Sequence, residues 1–424
     1  MKISQGVNYG IFAMSLGYIN IPMYLYLPKF YAENFGVSLF WLSFLLFFCR
    51  IIDTLQDPFI GWLSDRMVSK NIRRSRIIAA SFPFLALALY CLLMPSTTIN
   101  IYLWGGVFMV LAYTAYSFIS VNYYTMAAEI TEEYNEQTML VSFREAFALI
   151  GISLGSIVPS ILLNRGTVEQ AHFFSWSLFV IIGLLGLAVF LIKRPPASFR
   201  ISSYENIFQA AKGLFEEKKI VLLIIVSLTA NVAASLPVAT VLFYIQDVLD
   251  VQAYFGAFLG LYFMCGLVCF PVWYYLSKHT SKKFSWIVAT IITIIGFFAA
   301  GFLRQGDGAY YAVICIVTGM CLGGDIAMPI SILSDLIAHH PSKGKYYGVW
   351  GLVSKASIAV AGSFGLFVLG WLGYQPGVNI TDSDRLYVAV MYAFVPCGIK
   401  LVSLFLLLRW DIESERGVRI EQSK

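Results

Sequence analysis

Apolar runs of twenty or more residues recur along the whole chain, each stopped by a short cluster of charged, glycine or proline residues. About 20 such residues are what an α-helix needs to cross the hydrocarbon core of a bilayer. The pattern predicts twelve helices, near 8–31, 38–63, 77–96, 100–127, 137–163, 172–193, 220–247, 252–276, 284–303, 309–335, 345–373 and 386–409. The longest interruption, "KRPPASFRISSYENIFQAAKGLFEEKK" at 193–219, holds a Pro-Pro pair and a mixed-charge amphipathic stretch. It divides the chain into an N-terminal six-helix bundle (1–192), a linker (193–219), a C-terminal six-helix bundle (220–410) and a tail (411–424). A faint repeat supports the division: "PFIGWLSDRMVSK" from Pro58 and "PVWYYLSKHTSKK" from Pro271 share Pro, Leu-Ser and a terminal Lys. Duplicated halves of this kind place a binding site between them, near the membrane midplane.

Composition agrees with an all-α membrane protein. Of 424 residues, 59% are hydrophobic and 12% charged, against roughly 45–50% and 25% in soluble domains. The net charge of +5 matters less than its placement. Lys and Arg cluster at 65–76, 193–219, 277–283, 339–345 and after Arg409, while the alternate loops carry few. By the positive-inside rule the basic loops and both termini are cytoplasmic. The expected setting is therefore multi-pass, in the cell inner (plasma) membrane, with the lipid bilayer as a partner and a monomer as the assembly. Nucleic acid is not implied. The first span lacks a small-residue cleavage site and is read as retained. Seven cysteines lie mostly in apolar runs without metal-ligand spacing, so no structural metal and no cofactor are expected. The four histidines lie near loops, outside any hydrolase or metalloprotease motif, which argues against an intramembrane enzyme.

Against this background Asp53 and Asp57 stand out. They lie at i and i+4 on one face of the second helix, with Arg50 a turn earlier. An aspartate at mid-membrane costs roughly 2.5–3.5 kcal/mol on insertion scales. That burial is relieved by a buried cationic side chain, by protonation, or by a metal cation held on hard oxygen ligands. Gln56 adds a carbonyl oxygen, turned partly off that face. The bland alternative pairs Asp53 with Arg50 and gives Asp57 to a cytoplasmic gate. The matching stretch of the second half has Gly266 and Phe270 instead, so helix packing alone does not require the acids.

"RIIDTLQDPFIGWLSDR" resembles the second-helix signature of the glycoside-pentoside-hexuronide cation symporters, the melibiose permease family of the major facilitator superfamily. The resemblance implies that Asp53 and Asp57 match the two acids binding sodium, lithium or a proton, with Gln56 in place of an asparagine. The continuation "GWLSDRMVSKNIRRSR" is similar to the superfamily's loop signature, with Gly61, Asp65 and Arg66 in place. "YGVWGLVSKASIAVAGSFGLFVLGWLGYQPG" resembles the eleventh helix and puts Lys355 beside the cation site. "MLVSFREAFALIGISLG" resembles the fifth and puts Arg144 at a sugar-contacting arginine. Gly151 and Gly155 follow at a spacing that permits close helix approach.

The two sugar-holding acids of the melibiose permease are absent. Gly17 and Ser120 fall at their positions. The chain offers Tyr18, Asn20, Asn122, Tyr123, Tyr124, Arg144 and Lys355 instead. Losing two acids while keeping two cations favours an anionic or zwitterionic solute over a neutral galactoside.

Other polar positions divide between roles. Asp325, between a Gly pair and Pro329 in the tenth helix, reads equally as a substrate or gate contact and as a helix-bend residue. Asp335, with Gly61, Asp65 and Arg66, reads as cytoplasmic gate. Glu145 is expected to face away from Arg144, and Lys400 to snorkel to the inner surface. The acidic run "AAEITEEYNEQ" is placed to pair with "IRRSR", although a solvated loop is its default.

The leading function is cation-coupled (Na+ or H+) symport of a small polar molecule by alternating access. The alternatives are a sugar symporter proper, an importer or exporter of a siderophore, lysolipid or peptidoglycan fragment, and a non-transporting membrane receptor or scaffold.

Overall fold

The computed structural model describes residues 3–96, 98–130, 134–163, 166–193, 217–337, 343–377 and 380–410. Twelve helices among them are long and apolar enough to span a membrane. They are α1 (Ile3–Phe35), α2 (Leu39–Ser69), α3 (Arg74–Leu93), α4 (Ile101–Ile130), α5 (Tyr134–Leu163) and α6 (Val168–Lys193). The second six are α7 (Lys218–Val248), α8 (Phe255–His279), α9 (Lys282–Ala300), α10 (Gly308–Leu336), α11 (Lys343–Trp371) and α12 (Asp382–Arg409). All twelve fall on the segments the hydrophobic pattern predicts. Most of the linker and the whole tail lie outside the described residues.

Local chemistry sets the ends. Gly36 adopts a left-handed φ of 63° and stops α1. Ser38 then caps α2 by accepting from the Phe40 N–H at 3.3 Å. Ser281 caps α9 in the same way at 3.1 Å. Thr381 and Asp384 form a reciprocal capping box at the start of α12.

Within each half the helices approach closely. A Cβ at Gly17 would overlap the Ala148 carbonyl, and one at Gly151 or Gly155 the carbonyls of Met14 or Tyr18. Helices α1 and α5 therefore meet backbone to backbone, as small residues allow in a lipid environment. The same contact explains the missing acid at position 17: no side chain fits there.

Between the halves the main contacts are α2 with α11 and α5 with α8. They concentrate at one end. The Gly256 N–H donates to Ser160 Oγ at 3.0 Å, Gln246 donates to Glu33 at 2.8 Å, and Gly370 lies against the Phe40 backbone. At the other end of the same helices Trp62, Tyr274, Tyr275 and Leu352 are exposed. Among the described residues these polar links join the halves at the end away from the basic loops, the closed end.

Gly151→Leu should lower the melting temperature in detergent, with an overpacking cost of about 1–3 kcal/mol. Gly398→Ala, where a Cβ meets nothing within 4 Å, should not. Equal melting temperatures would mean that the α1–α5 crossing carries no stability.

Candidate functional site

Helix α2 presents Asp53 and Asp57 toward α4 and α11. Asp53 is 3% exposed and accepts a hydrogen bond from Ser117 Oγ of α4 at 2.6 Å. Lys355 of α11 lies 3.4 Å from Asp53 and forms an ion pair with Asp57. The second Asp57 oxygen is buried and accepts no hydrogen bond among the described residues. Gln56 turns to α4, where its carbonyl accepts from Thr114 Oγ1 at 2.9 Å. Two carboxylates thus face one lysine ammonium, with a serine hydroxyl on Asp53 and a threonine-held amide on the α4 side of the same helix. These are hard oxygen donors of the kind an alkali cation or a proton uses.

Arg50 departs from expectation. It makes no ion pair with Asp53 among the described residues. Its guanidinium lies 5.2 Å from the Tyr24 ring centre and 4.8 Å from that of Tyr113, and its Nε has no hydrogen-bond partner among the described residues. The reason is competition. Ser117 and Lys355 already engage Asp53, while two electron-rich rings offer Arg50 a cation–π cage. Tyr24 sits in a π-helical turn (Pro22–Tyr26) of α1, and its hydroxyl donates across the halves to the Ile358 carbonyl at 3.5 Å.

The expected substrate residues separate into two groups. Arg144 stacks on Tyr124 at 4.1 Å, with Tyr124 46% exposed, and Asn20 is also exposed. Glu145 does not face away: it accepts two hydrogen bonds from Arg144, at 3.0 and 2.6 Å. The flexible arginine stem lets the guanidinium fold back onto its own neighbour. Tyr18 and Asn122 are instead buried in the N-terminal bundle. Tyr18 pairs with Ser175 of α6 at 2.8 Å. Asn122 accepts from Arg74 at 3.3 Å and donates to Ser64 at 2.9 Å. Asp325 pairs with Lys400 inside the C-terminal bundle. Lys400 is 4% exposed, so it does not snorkel; a fixed carboxylate inside the bundle outcompetes the distant surface.

At the end carrying the basic loops Arg74 pairs with Asp65 and, at 2.7 Å, with Glu129. This links the acidic run to "IRRSR", where a solvated loop was the default reading. Arg66 lies over Trp62 at 5.6 Å, Gly61 is buried, and Asp335 pairs with Lys282 at 2.7 Å. Each of these contacts stays within one half.

At the closed end a polar band joins the halves. Buried Lys29 lies 4.0 Å from Glu33, which accepts from Gln246. Buried Asp247 accepts from the Tyr374 hydroxyl and from the Gly377 N–H at 3.4 Å, and its carbonyl accepts from Arg385 at 3.2 Å. These residues lie near helix ends, where charge reads as solvated loop, and the sequence pattern does not single them out. Ser117 and Thr114 were also missed. Their one signal is that they sit three apart on the face of α4 that meets α2.

Twelve helices in two six-helix halves, with carboxylates and a lysine meeting across the seam, define a major facilitator transporter. Residues 8–414 match the family model described as MFS/sugar transport protein, and the chain belongs to that family. It is 23% identical to the uncharacterized symporter YnaJ of Bacillus subtilis (strain 168), over 97% of this chain and 92% of that one. It is 19% identical to the sodium-dependent lysophosphatidylcholine symporter 1 of Gallus gallus, over 89% of this chain and 80% of that one. A crystal structure of a variant of the nucleoside transporter NupG superposes with a TM-score of 0.70 at 11% identity, covering 96% of this chain and 99% of that one. The protein is thus a membrane transporter of small molecules rather than an enzyme.

Lys355→Met strips the counter-charge from two carboxylates. Because Lys355 is about one-third exposed, the expected loss is about 1–2 kcal/mol rather than the ~3–5 kcal/mol of a fully buried pair. Adding Asp57→Asn should recover much of it, read as detergent melting temperature. A double variant less stable than the single one would contradict the pairing.

Proposed function

We propose that the protein is a cation-coupled symporter for a small anionic or zwitterionic solute, with one monovalent cation, Na+ or H+, as the coupling ion. The observation that carries this reading is the ion pair from Lys355 of α11, in one half, to Asp57 and Asp53 of α2, in the other. Charge counting sets the valence. Two carboxylates face Lys355 and Arg50, so the resting site is neutral. A monovalent cation replaces the ammonium one for one, whereas a divalent ion would leave an excess charge in a low-dielectric setting.

The arrangement explains coupling. With the carboxylates holding Lys355, α2 and α11 are tied together and the carrier rests open at its basic end. A cation entering between Asp53 and Asp57 frees Lys355 and loosens that tie. A solute then binds between the halves, with its acidic group on Arg144 in place of Glu145 and its body against Tyr124 and Asn20. Because ion and solute both bias one rocking equilibrium, each raises the affinity for the other. Closure brings Gly61, Asp65 and Arg66 of one half toward the Asp335 end of the other as the cytoplasmic gate. The acidic group of the solute is supported by the lost sugar-holding acids and by the lysophosphatidylcholine relative, whose named solute carries a phosphate and a quaternary ammonium. The same relative is named for sodium dependence. Clustered basic loops support a multi-pass protein of the inner (plasma) membrane with cytoplasmic termini.

Asp57→Asn should abolish accumulation of solute against its gradient in proteoliposomes while leaving equilibrium exchange measurable. Retained sodium- or proton-driven accumulation would refute the assignment of the ion site. Arg144→Ala should weaken binding of the anionic solute about 10- to 100-fold, as expected for loss of a charge-assisted hydrogen bond. Unchanged binding would move the solute's acidic group elsewhere.

A further inference from the structure

The C-terminal bundle buries a second ion pair, and it borders an open cavity. Lys400 of α12 donates to one oxygen of Asp325 on α10; the other oxygen is buried without a hydrogen-bond partner among the described residues. Both side chains line a cavity of about 70 Å3 between α7, α8, α9, α10 and α12. Asn231, Tyr262, Thr293 and Thr318 add polar walls. The two threonine hydroxyls donate to the Ala289 and Ile314 carbonyls, which leaves their lone pairs to accept. A cavity needs roughly 10–15 Å3 to admit one water. This one has room for a group of several non-hydrogen atoms.

A purely structural ion pair in an apolar bundle is expected to be closely packed, with its hydrogen-bonding capacity spent inside the protein. Here one carboxylate oxygen is buried without a partner among the described residues, and the pair borders a cavity whose mainly apolar wall carries a few polar groups. Charge selects what fits. Asp325 and Lys400 balance each other, so a lone ion of either sign would leave a net charge in a poorly solvated site. A group that donates to Asp325 and accepts from Lys400, while carrying no net charge, meets both demands.

We infer that the Asp325–Lys400 cavity is a ligand subsite of the C-terminal half. It takes a small, net-neutral group that presents a donor and an acceptor together: an ammonium with an acid group, or adjacent hydroxyls. The inference rests on the transporter reading but does not involve the ion site or Arg144.

The test uses the purified full-length protein in detergent with millimolar taurine, which carries both charges, or glycerol, which carries adjacent hydroxyls. Sodium acetate and ethylammonium chloride supply the separated charges. Two readouts are followed: the melting temperature, and the rate at which N-ethylmaleimide labels Cys397, which lines the same cavity. Taurine or glycerol should raise the melting temperature by about 2–4 °C near saturation and slow labelling of Cys397, and the separated ions should do neither. A response to taurine alone assigns the zwitterion, and one to glycerol alone the hydroxyl pair. The double variant Asp325→Leu/Lys400→Met leaves no unpaired charge, so it should fold with equal or higher stability and lose both effects. No response to either probe, or a response that persists in the double variant, overturns the subsite. Because detergent binding needs no gradient, these outcomes are independent of the Asp57→Asn accumulation result.

Discussion

Two carboxylates on one face of a membrane-spanning helix need a counter-charge, a bound cation or a proton. The rest of the molecule is organised around how that demand is met. Their own helix supplies Arg50, but its guanidinium is held between Tyr24 and Tyr113 rather than on Asp53. The direct counter-ion comes from α11 in the other half. A desolvation problem local to α2 thereby becomes a tie between the two bodies that must move relative to each other. On the proposed reading, a cation that takes the place of Lys355 also releases the tie, which couples ion binding to conformational change.

The kinds of contact within and between halves differ in a way that suits this role. Inside the N-terminal half, glycine-mediated backbone contact at Gly17, Gly151 and Gly155 is geometrically unforgiving. Between halves, ring contacts such as Tyr26 with Phe255 and Phe40 with Phe367 are joined by exchangeable polar ones: Glu33 with Gln246, Ser160 with Gly256, and Lys355 with Asp57. Interhelical hydrogen bonds in membranes average only about 0.6 kcal/mol, small enough for a bound ion or solute to trade against. The bodies stay rigid while the seam remains reversible.

The fold was legible because lipid imposes a single rule, long apolar helices, and the chain obeys it twelve times. Gly151 and Gly155 were readable from spacing alone. The core of the ion site was partly readable: Asp53 and Asp57 as charges in an apolar run, and Lys355 through resemblance. Ser117 and Thr114 were not, because hydroxyls are common in membrane helices and carry no signal until α4 is placed against α2. The ring cage of Arg50 was not readable, because sequence proximity to Asp53, the pairing of the bland alternative, says nothing about two tyrosine rings from other helices. Glu145 and Lys400 illustrate the same limit: a side chain's direction follows from the partners within reach. The polar band of Lys29, Glu33, Asp247 and Tyr374 was invisible because each member sits where a helix meets a loop.

The claim that a cation takes the place of Lys355 between Asp53 and Asp57 is tested most directly by titrating the purified protein with sodium at two pH values, with and without Lys355→Gln. If the ammonium competes for the site, removing it tightens cation binding, by roughly tenfold for each ~1.4 kcal/mol of competition relieved, and Asp57→Asn abolishes the gain. If Lys355→Gln binds neither sodium nor protons more tightly than the unaltered protein, the lysine is not the resident of the ion site and the coupling scheme is wrong.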